Sequence, residues 1–308
     1  MSRPAPLPRA LAGRAFTVHE ARRAGLSRGR LRSADLARPT RGARMPTVLA
    51  DDHVERCRAV LAASPPSAVV SYVSALRLVR VEIPRRLSGD ERVHITVLEG
   101  DVAPQRRGVV THTHASDGRR YRGRPLPTVT AAGLPAVAPE RTWLQLAGSL
   151  TADELVVLGD AMTRRKSPVT TVVALRGEVS AAPPGTRGIR RARDAVELVR
   201  PGTDSSPESW VRLHMVRAGL PCPLVNAKIY DDRGGFVAMP DLALPALKIA
   251  IEYDGDVHRT DRETWMRDVA KREQLRDLGW LVVVVVGAHL RDPDALVAML
   301  RRAVRSRS

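Results

Sequence analysis

Apolar residues along this chain switch between two periods, and each switch predicts an element. Val54, Cys57 and Leu61 recur at helical spacing and predict a helix over 51–63. "SAVVSYVSALRLV" continues helically through Val69, Val70, Val73, Leu76 and Leu78. The period then drops to two: Val93, Ile95 and Val97 alternate with polar residues and predict a strand. "GVVTHTHAS" alternates as well and places His112 and His114 on one strand face. Two such histidines can chelate a metal, but no third ligand follows at useful spacing, and a polar strand face is the reading preferred. Trp143, Leu144 and Leu146 return to helical spacing, and Thr151 with Glu154 forms a capping box ahead of Leu155, Val156 and Leu158. After the Pro/Gly break "AAPPGTRGIR", residues 190–200 read as another helix.

The last hundred residues open on a linker, 201–206. Ser206 caps a helix with Pro207 first and Glu208 in the first turn, where an acid also suits the helix dipole. "PLVNAKIY" is a strand, 231–235 a turn, "FVAMPDLAL" the returning strand and "LKIAIEY" a third. A turn at Pro245-Ala246 sets Asp241 opposite Ala250; a turn at Ala246-Leu247 sets it opposite Glu252. Either register puts Asp241, Glu252 and Asp254 on one face and Ile249, Ile251 and Tyr253 on the other. Carboxylates that close raise one another's pKa. A hard divalent cation reverses that cost, so the three acids are candidate ligands for Mg²⁺ or Mn²⁺. A helix follows over 262–278, ended by Gly279, with Trp265, Val269, Arg272 and Leu275 on one stripe and Asp268 one turn before Arg272. "LVVVVVG" is a buried strand. Strand, crossover helix and apolar strand imply a parallel pair with a right-handed connection.

Composition sharpens this picture unevenly. The 308 residues are 44% hydrophobic but only 3% aromatic, so aliphatic side chains must build the cores. The net charge is +17, and residues 1–50 carry 11 arginines against 2 acids. That gradient suggests a polyanion-binding module at the front. Cys57 and Cys222 have neither metal nor redox spacing and read as small core residues of a reducing compartment. The longest apolar run, 281–286, is too short to span a bilayer. Pro4, Pro6 and Pro8 interrupt any apolar leader. A cytoplasmic protein with no membrane partner is expected.

The front fifty residues read as helix, glycine turn, helix. Thr17 and Glu20 make a capping box, Gly25 ends the first helix, and Ser27 caps a second over 28–36. Arg28 and Arg32 share a face of that second helix, with Arg30 to one side. The segment 38–44, holding Arg41 and Arg44, forms a basic wing suited to phosphates. "FTVHEARRAGLSRGRLRSADLARPTRGARMP" resembles the winged-helix domain at the N-terminus of AbiEi-type antitoxins, over about 9–48. The following stretch resembles the later part of such antitoxins diffusely. These resemblances imply DNA binding by Arg28, Arg30, Arg32, Arg41 and Arg44. They leave a toxin partner or a homodimer open.

"MPDLAL", "IAIEYDGDVHR" and "DVAKREQLRDLGWLVVVV" together resemble the Vsr-like branch of the PD-(D/E)XK nuclease superfamily, over about 205–300. The resemblance implies an Mg-dependent DNA endonuclease. Asp241 is then the metal-binding Asp and Glu252 the second acid. His258 is the motif histidine, a general acid or base; Glu208 is the first-helix acid and Arg272 the basic residue of the following helix. Asp254 stands where that superfamily's lysine usually stands, so His258, Lys271 or Arg272 must take its part. The fold expected is α/β, a mixed α+β multidomain chain: a winged helix-turn-helix at 1–50, an AbiEi-like α/β module at 51–200, and a restriction-endonuclease-like mixed sheet flanked by helices at 205–308. A second class fits the same residues: a non-catalytic, antitoxin-like transcriptional regulator whose nuclease fold has degenerated.

Overall fold

The structure is a computed structural model that describes residues 4–114, 125–255 and 262–308, without the side chains of 262–268. The chain folds into two compact units. Unit 1 holds Met1–Leu150 and Val173–Arg193; unit 2 holds Thr151–Val172 and Asp194–Ser308. Each mixes helices with sheet, the α/β class that the patterning predicts.

Unit 1 begins with α1 (Arg9–Ala12), β1 (Phe16–Thr17) and α2 (Val18–Arg23). The predicted capping box forms. The Thr17 hydroxyl accepts from the Glu20 amide at 3.0 Å, and the Glu20 carboxylate accepts from the Thr17 amide at 2.7 Å. Gly25 follows with φ +83°, a left-handed position that suits glycine. The second helix predicted over 28–36 does not form. A single 3₁₀ turn, Arg30–Arg32, stands in its place, and Ser33 leaves it in extended conformation. Local side chains explain the difference. Arg30 bonds both carboxylate oxygens of Asp35 at 2.9 and 2.8 Å, and the Ser33 hydroxyl donates back to the Arg30 carbonyl. These bonds close a turn that a helix would have to open, and Gly29 weakens helical propensity there. β2 (Leu36–Ala37) and β3 (Ala43–Pro46) complete a three-stranded sheet in the order β1-β3-β2, with the basic segment 38–42 as its hairpin loop.

The remainder of this stretch contains α3 (His53–Ala62), β4 (Val69–Val70), α4 (Tyr72–Leu78), α5 (Arg85–Ser88), β5 (Val93–Leu98), β6 (Val109–His114), β7 (Thr128–Ala131), β8 (Leu134–Val137) and α6 (Pro139–Leu146). The helix expected across 67–79 starts only at Tyr72, because Val69 and Val70 pair with Thr96 and Ile95 of β5. The sheet order is β6-β5-β4-β8-β7. Cys57, Val70, Ile95, Val97 and Ala136 are buried in its core. Cys57 behaves as predicted, with burial raising its thiol to about 12; Cys222 does not, for it is exposed.

Unit 2 takes α7 (Ala152–Met162), whose Thr151–Glu154 capping box forms as predicted. In chain order α8 (Val172–Ala181), which belongs to unit 1 from Val173 on, and α9 (Ile189–Leu198), which the unit boundary divides after Arg193, follow. Next come α10 (Ser206–Arg217), β9 (Leu224–Val225), β10 (Ile229–Tyr230), β11 (Phe236–Ala238), β12 (Leu242–Leu244), β13 (Ile249–Asp254), α11 (Arg262–Asp277), β14 (Leu281–Val286), α12 (Gly287–Arg291) and α13 (Pro293–Arg305). Ser205 caps α10, one residue earlier than expected. The two long strands predicted on either side of the 231–235 turn are each broken. Asn226, at φ +46°, separates β9 from β10, and Met239-Pro240 separates β11 from β12. Proline removes a ladder donor, so the ribbon β10-β11 splits from the four-stranded sheet β14-β13-β12-β9. β13 and β14 run parallel around α11, as predicted. Ile249 and Ile251 pack with Val211, Met215, Leu296 and Leu300; Ala250 packs on the other side with Leu275 of α11. Asp160 of α7 and Arg212 of α10 form a fully buried ion pair at 2.6 Å.

Candidate functional site

The β12–β13 hairpin decides where the acids go. Its turn is a 3₁₀ segment, Pro245–Leu247, closed by Lys248 at φ +47°. Leu242 pairs with Ile251, so the ladder extended by one step sets Asp241 opposite Glu252, the second of the two registers considered. Asp241 Oδ2 accepts the Tyr253 amide at 2.8 Å, which fixes that carboxyl to the neighbouring strand. Glu252 is only 6% exposed. Arg272 Nε donates to Glu252 Oε2 at 2.9 Å, and Arg272 Nη2 reaches Asp254 Oδ2 at 3.4 Å. One guanidinium from α11 thus gathers both acids of β13. Burial opposes its charge, but bonds to Glu252 and Asp254 prevail and raise its pKa above the ordinary value. Lys271 Nζ lies 2.6 Å from Glu252 Oε1, a charge contact outside hydrogen-bond geometry.

Burial, then the charge of Glu208, raises Asp241 to about 7; the charge of Glu252 adds to it, while the Tyr253 amide and Lys271 act against it. Glu208, 4% exposed in the first turn of α10, accepts the Asp204 amide at 3.0 Å and is itself raised by burial. The structure joins Glu252, Asp254, Lys271 and Arg272 by ion pairs and sets Asp241 under the charges of Glu208, Glu252 and Lys271, but among the described residues no three acids stand together as ligands for one metal ion. His258 lies outside the described residues, as does the Asp268 side chain expected to pair with Arg272. Two features bear on a divalent cation: Asp241 is raised to about 7 by burial first and by the charges of Glu208 and Glu252 after it, and the buried Glu252 Oε1 has the Lys271 ammonium as its nearby cation.

The front arginines divide into two kinds. Arg30 is spent on Asp35 and on the Ala5 carbonyl, at 2.7 Å. Arg44 donates to the carbonyls of Leu31 and Ala43, at 2.9 and 2.7 Å, and braces β3 against the 3₁₀ turn. Both were expected to contact DNA; these bonds tie each guanidinium to the fold. Arg28, Arg32 and Arg41 are exposed. Because the second helix is a single turn, Arg28 lies outside it, and the shared helical face expected for Arg28 and Arg32 does not exist.

Sequence reasoning passed over a polar cluster in unit 1. His94 Nε2 lies 3.1 Å from Asp90 Oδ2, and His94 Nδ1 lies 3.1 Å from His112 Nε2. Tyr72 stacks on His112 with ring centroids 3.7 Å apart and holds φ +50°, a strained value for a tyrosine. Bonds from Arg92 hold Asp90 well below the carboxylate range. Burial lowers His94, and burial with the charges of His94 and Arg92 lowers His112 to about 4. With both rings neutral, Asp90 must accept from His94 Nε2–H, and His94 Nδ1 from His112 Nε2–H. His112 Nδ1 is left with the lone pair. These groups line a cleft of about 340 Å³ with Gln145 and Arg187. The signal was unreadable because His94 and His112 lie on different strands that only the parallel β5–β6 register joins.

A folded pKa below the unfolded value stabilises above the latter, so unit 1 should lose stability as pH falls from about 6.5 toward 4. His53, also lowered to about 4 by burial, adds to the same window. His112→Phe is expected to flatten the slope of unfolding free energy against pH by about 1–2 kcal/mol across that window. Denaturant titrations between pH 4.5 and 7.5 measure it; an identical slope in the variant would contradict the assignment.

No helix among the described residues is long and apolar enough to cross a membrane. No protein-family model matches the chain. Over 176 residues it is 30% identical to two proteins described as uncharacterized, from Mycobacterium tuberculosis strains CDC 1551 and H37Rv. The match covers 56% of this chain and 62% of each relative, so the chain spans less than two thirds of the length of the proteins it matches.

Proposed function

We propose that the chain binds duplex DNA through the front of unit 1 and hydrolyses a phosphodiester in unit 2 with Mg²⁺ or Mn²⁺. The observation that carries this reading is the buried acid set, in which Asp241 is raised to about 7 beside Glu208 and Glu252. Glu208 and Glu252 are buried and their charges raise Asp241 further, a repulsion that a cation beside Asp241 would relieve. Asp241 and Glu252, helped by Asp254, would hold the metal. When bound, the metal supplies an activated water and balances charge building on the phosphate. Lys271, reaching Glu252 from α11, offers the ammonium that Asp254 displaces from β13. Arg272 fixes Glu252 and Asp254, and Glu208 keeps Asp241 from ionising early. His258 is assigned the proton-transfer role by the resemblance.

Plasmid nicking in Mg²⁺ or Mn²⁺ tests the proposal. Wild type should nick, and Asp241→Ala or Glu252→Ala should lower the rate by at least about 10²–10³-fold. Absence of metal-dependent cleavage of every DNA form would overturn it. One observation favours the regulator: Glu252, Asp254, Lys271 and Arg272 form a closed ion network that needs no further group for charge balance. DNA binding without cleavage supports that second reading.

A further inference from the structure

The loop between β2 and β3 and the loop before β6 face each other within unit 1 across a cleft of about 810 Å³. Arg38, Thr40, Arg41 and Arg44 line it from one side and Arg106 and Arg107 from the other, and among the described residues its lining includes no Asp or Glu. Both loops are anchored at one point. Arg106 Nη2 donates to the Ala63 carbonyl at 2.6 Å, and Gly42, at φ +89°, lies so close that a Cβ on it would touch the Ala63 Cβ at 3.8 Å. Arg106 and the Gly42 end of the 38–42 loop are thereby held, while Arg38, Arg41 and Arg107 are exposed.

Two polar atoms in this wall are orphaned. Thr40 is 5% exposed, yet its hydroxyl has no hydrogen-bond partner among the described residues. Arg106 Nη1 is buried and likewise lacks an acceptor among them, although the same guanidinium is pinned through Nη2. A buried hydroxyl or guanidinium nitrogen left unpaired is costly. Both residues line the cleft but neither atom is open to solvent, so an oxyanion entering it would accept from them once their side chains turn toward it. Burial and the neighbouring Arg38 charge lower the Arg44 pKa, a repulsion that an anion would also relieve.

We infer that this cleft is a phosphate-binding site, with Thr40 Oγ1 and Arg106 Nη1 as its inner donors and Arg38, Arg41 and Arg107 as its rim. Arg44 is a brace that contributes charge. The donor set suits a phosphodiester of a nucleic acid backbone or a free phosphate alike; the first source rests on the DNA-binding reading above, the second does not. The cleft lies in unit 1 and the carboxylate site in unit 2.

The experiment uses the full chain, with a short labelled duplex and inorganic pyrophosphate as separate probes, on wild type, Thr40→Val and Arg106→Gln. Thr40→Val keeps shape and removes a hydroxyl that bonds nothing among the described residues, so its melting temperature without ligand should stay level or rise. If the site takes a backbone phosphate, duplex affinity falls about threefold to tenfold in Thr40→Val, and the salt slope drops by about one in Arg106→Gln. If it takes free phosphate, pyrophosphate raises the wild-type melting temperature and the variants lose that rise, while duplex affinity is the same in all three; the site stands and its nucleic-acid role falls. Duplex binding and pyrophosphate response both unchanged in the variants overturn the site, and leave DNA binding elsewhere on unit 1 intact.

Discussion

Arg212→Met is expected to destabilise unit 2 by about 3–5 kcal/mol, because it leaves the Asp160 carboxylate buried without its cation. Both side chains are fully buried, 2.6 Å apart, at the packing of α7 on α10. Asp160 has a second tie: its Oδ1 accepts the Arg200 amide at 2.7 Å. Burial raises the Asp160 pKa, and Arg212 and the Arg200 amide pull against it. Without Arg212 the carboxylate must either stay charged in a dry site or take a proton. Asp160→Asn paired with Arg212→Met removes both charges and keeps the amide acceptor, and should recover most of the loss. Denaturant unfolding of the full chain, followed by amide exchange in α7 and α10, measures this. Equal losses in the single and double variants would show that packing, not charge, accounts for the cost. The pair matters to the candidate site because α10 also carries Glu208, which bears on Asp241.

Asp241→Asn should have the opposite sign and an effect of similar size. A carboxyl whose folded pKa is about 7, against an ordinary value of 3.8, stabilises the fold fully below about pH 4. That contribution disappears as pH rises through 7, and amounts to on the order of 2–4 kcal/mol. Asparagine imitates the protonated acid and can still accept the Tyr253 amide. The variant should therefore match wild type near pH 4.5 and exceed it at pH 8, raising the unit 2 melting temperature by several degrees. Mg²⁺ at pH 8 should raise the wild-type transition and leave the variant's unmoved, because only the carboxylate is a ligand. A wild type indifferent to Mg²⁺ and no less stable than Asp241→Asn at pH 8 would remove the physical basis for a metal seat there. The two units respond to pH in opposite directions, since histidine burial makes unit 1 weaken in acid. Separate transitions, not a single midpoint, are the observable.

Much of this was legible from local pattern. Thr17–Glu20 and Thr151–Glu154 cap their helices as read, since a capping box involves only four consecutive residues. The parallel β13–β14 pair followed from strand, helix and apolar run. Where reading failed, a longer-range or competing contact was responsible. Val69 and Val70 look helical beside Val73 and Leu76, but they pair with β5. Arg28–Leu36 looks helical by its cap, but the Arg30–Asp35 fork and Ser33 close a turn. The long strands around 231–235 break at Asn226 and Pro240, a proline signal present in the sequence and read through.

The sequence alone determined the acids of the candidate site, through strand parity: alternation commits Glu252 and Asp254 to one face whatever lies across from them. It also determined the basic front, since charge density needs no fold. Tertiary structure decided which of those charges are spent. Arg30 and Arg44 bond a carboxylate and carbonyls that lie near only in the folded chain. Lys271 and Arg272 gain their role from α11 crossing the β13 acids. The Asp90–His94–His112 chain and the arginine cleft join residues from separate strands and loops. Side-chain periodicity states which face a residue takes; only packing states what stands opposite, and electrostatic energy depends on that distance.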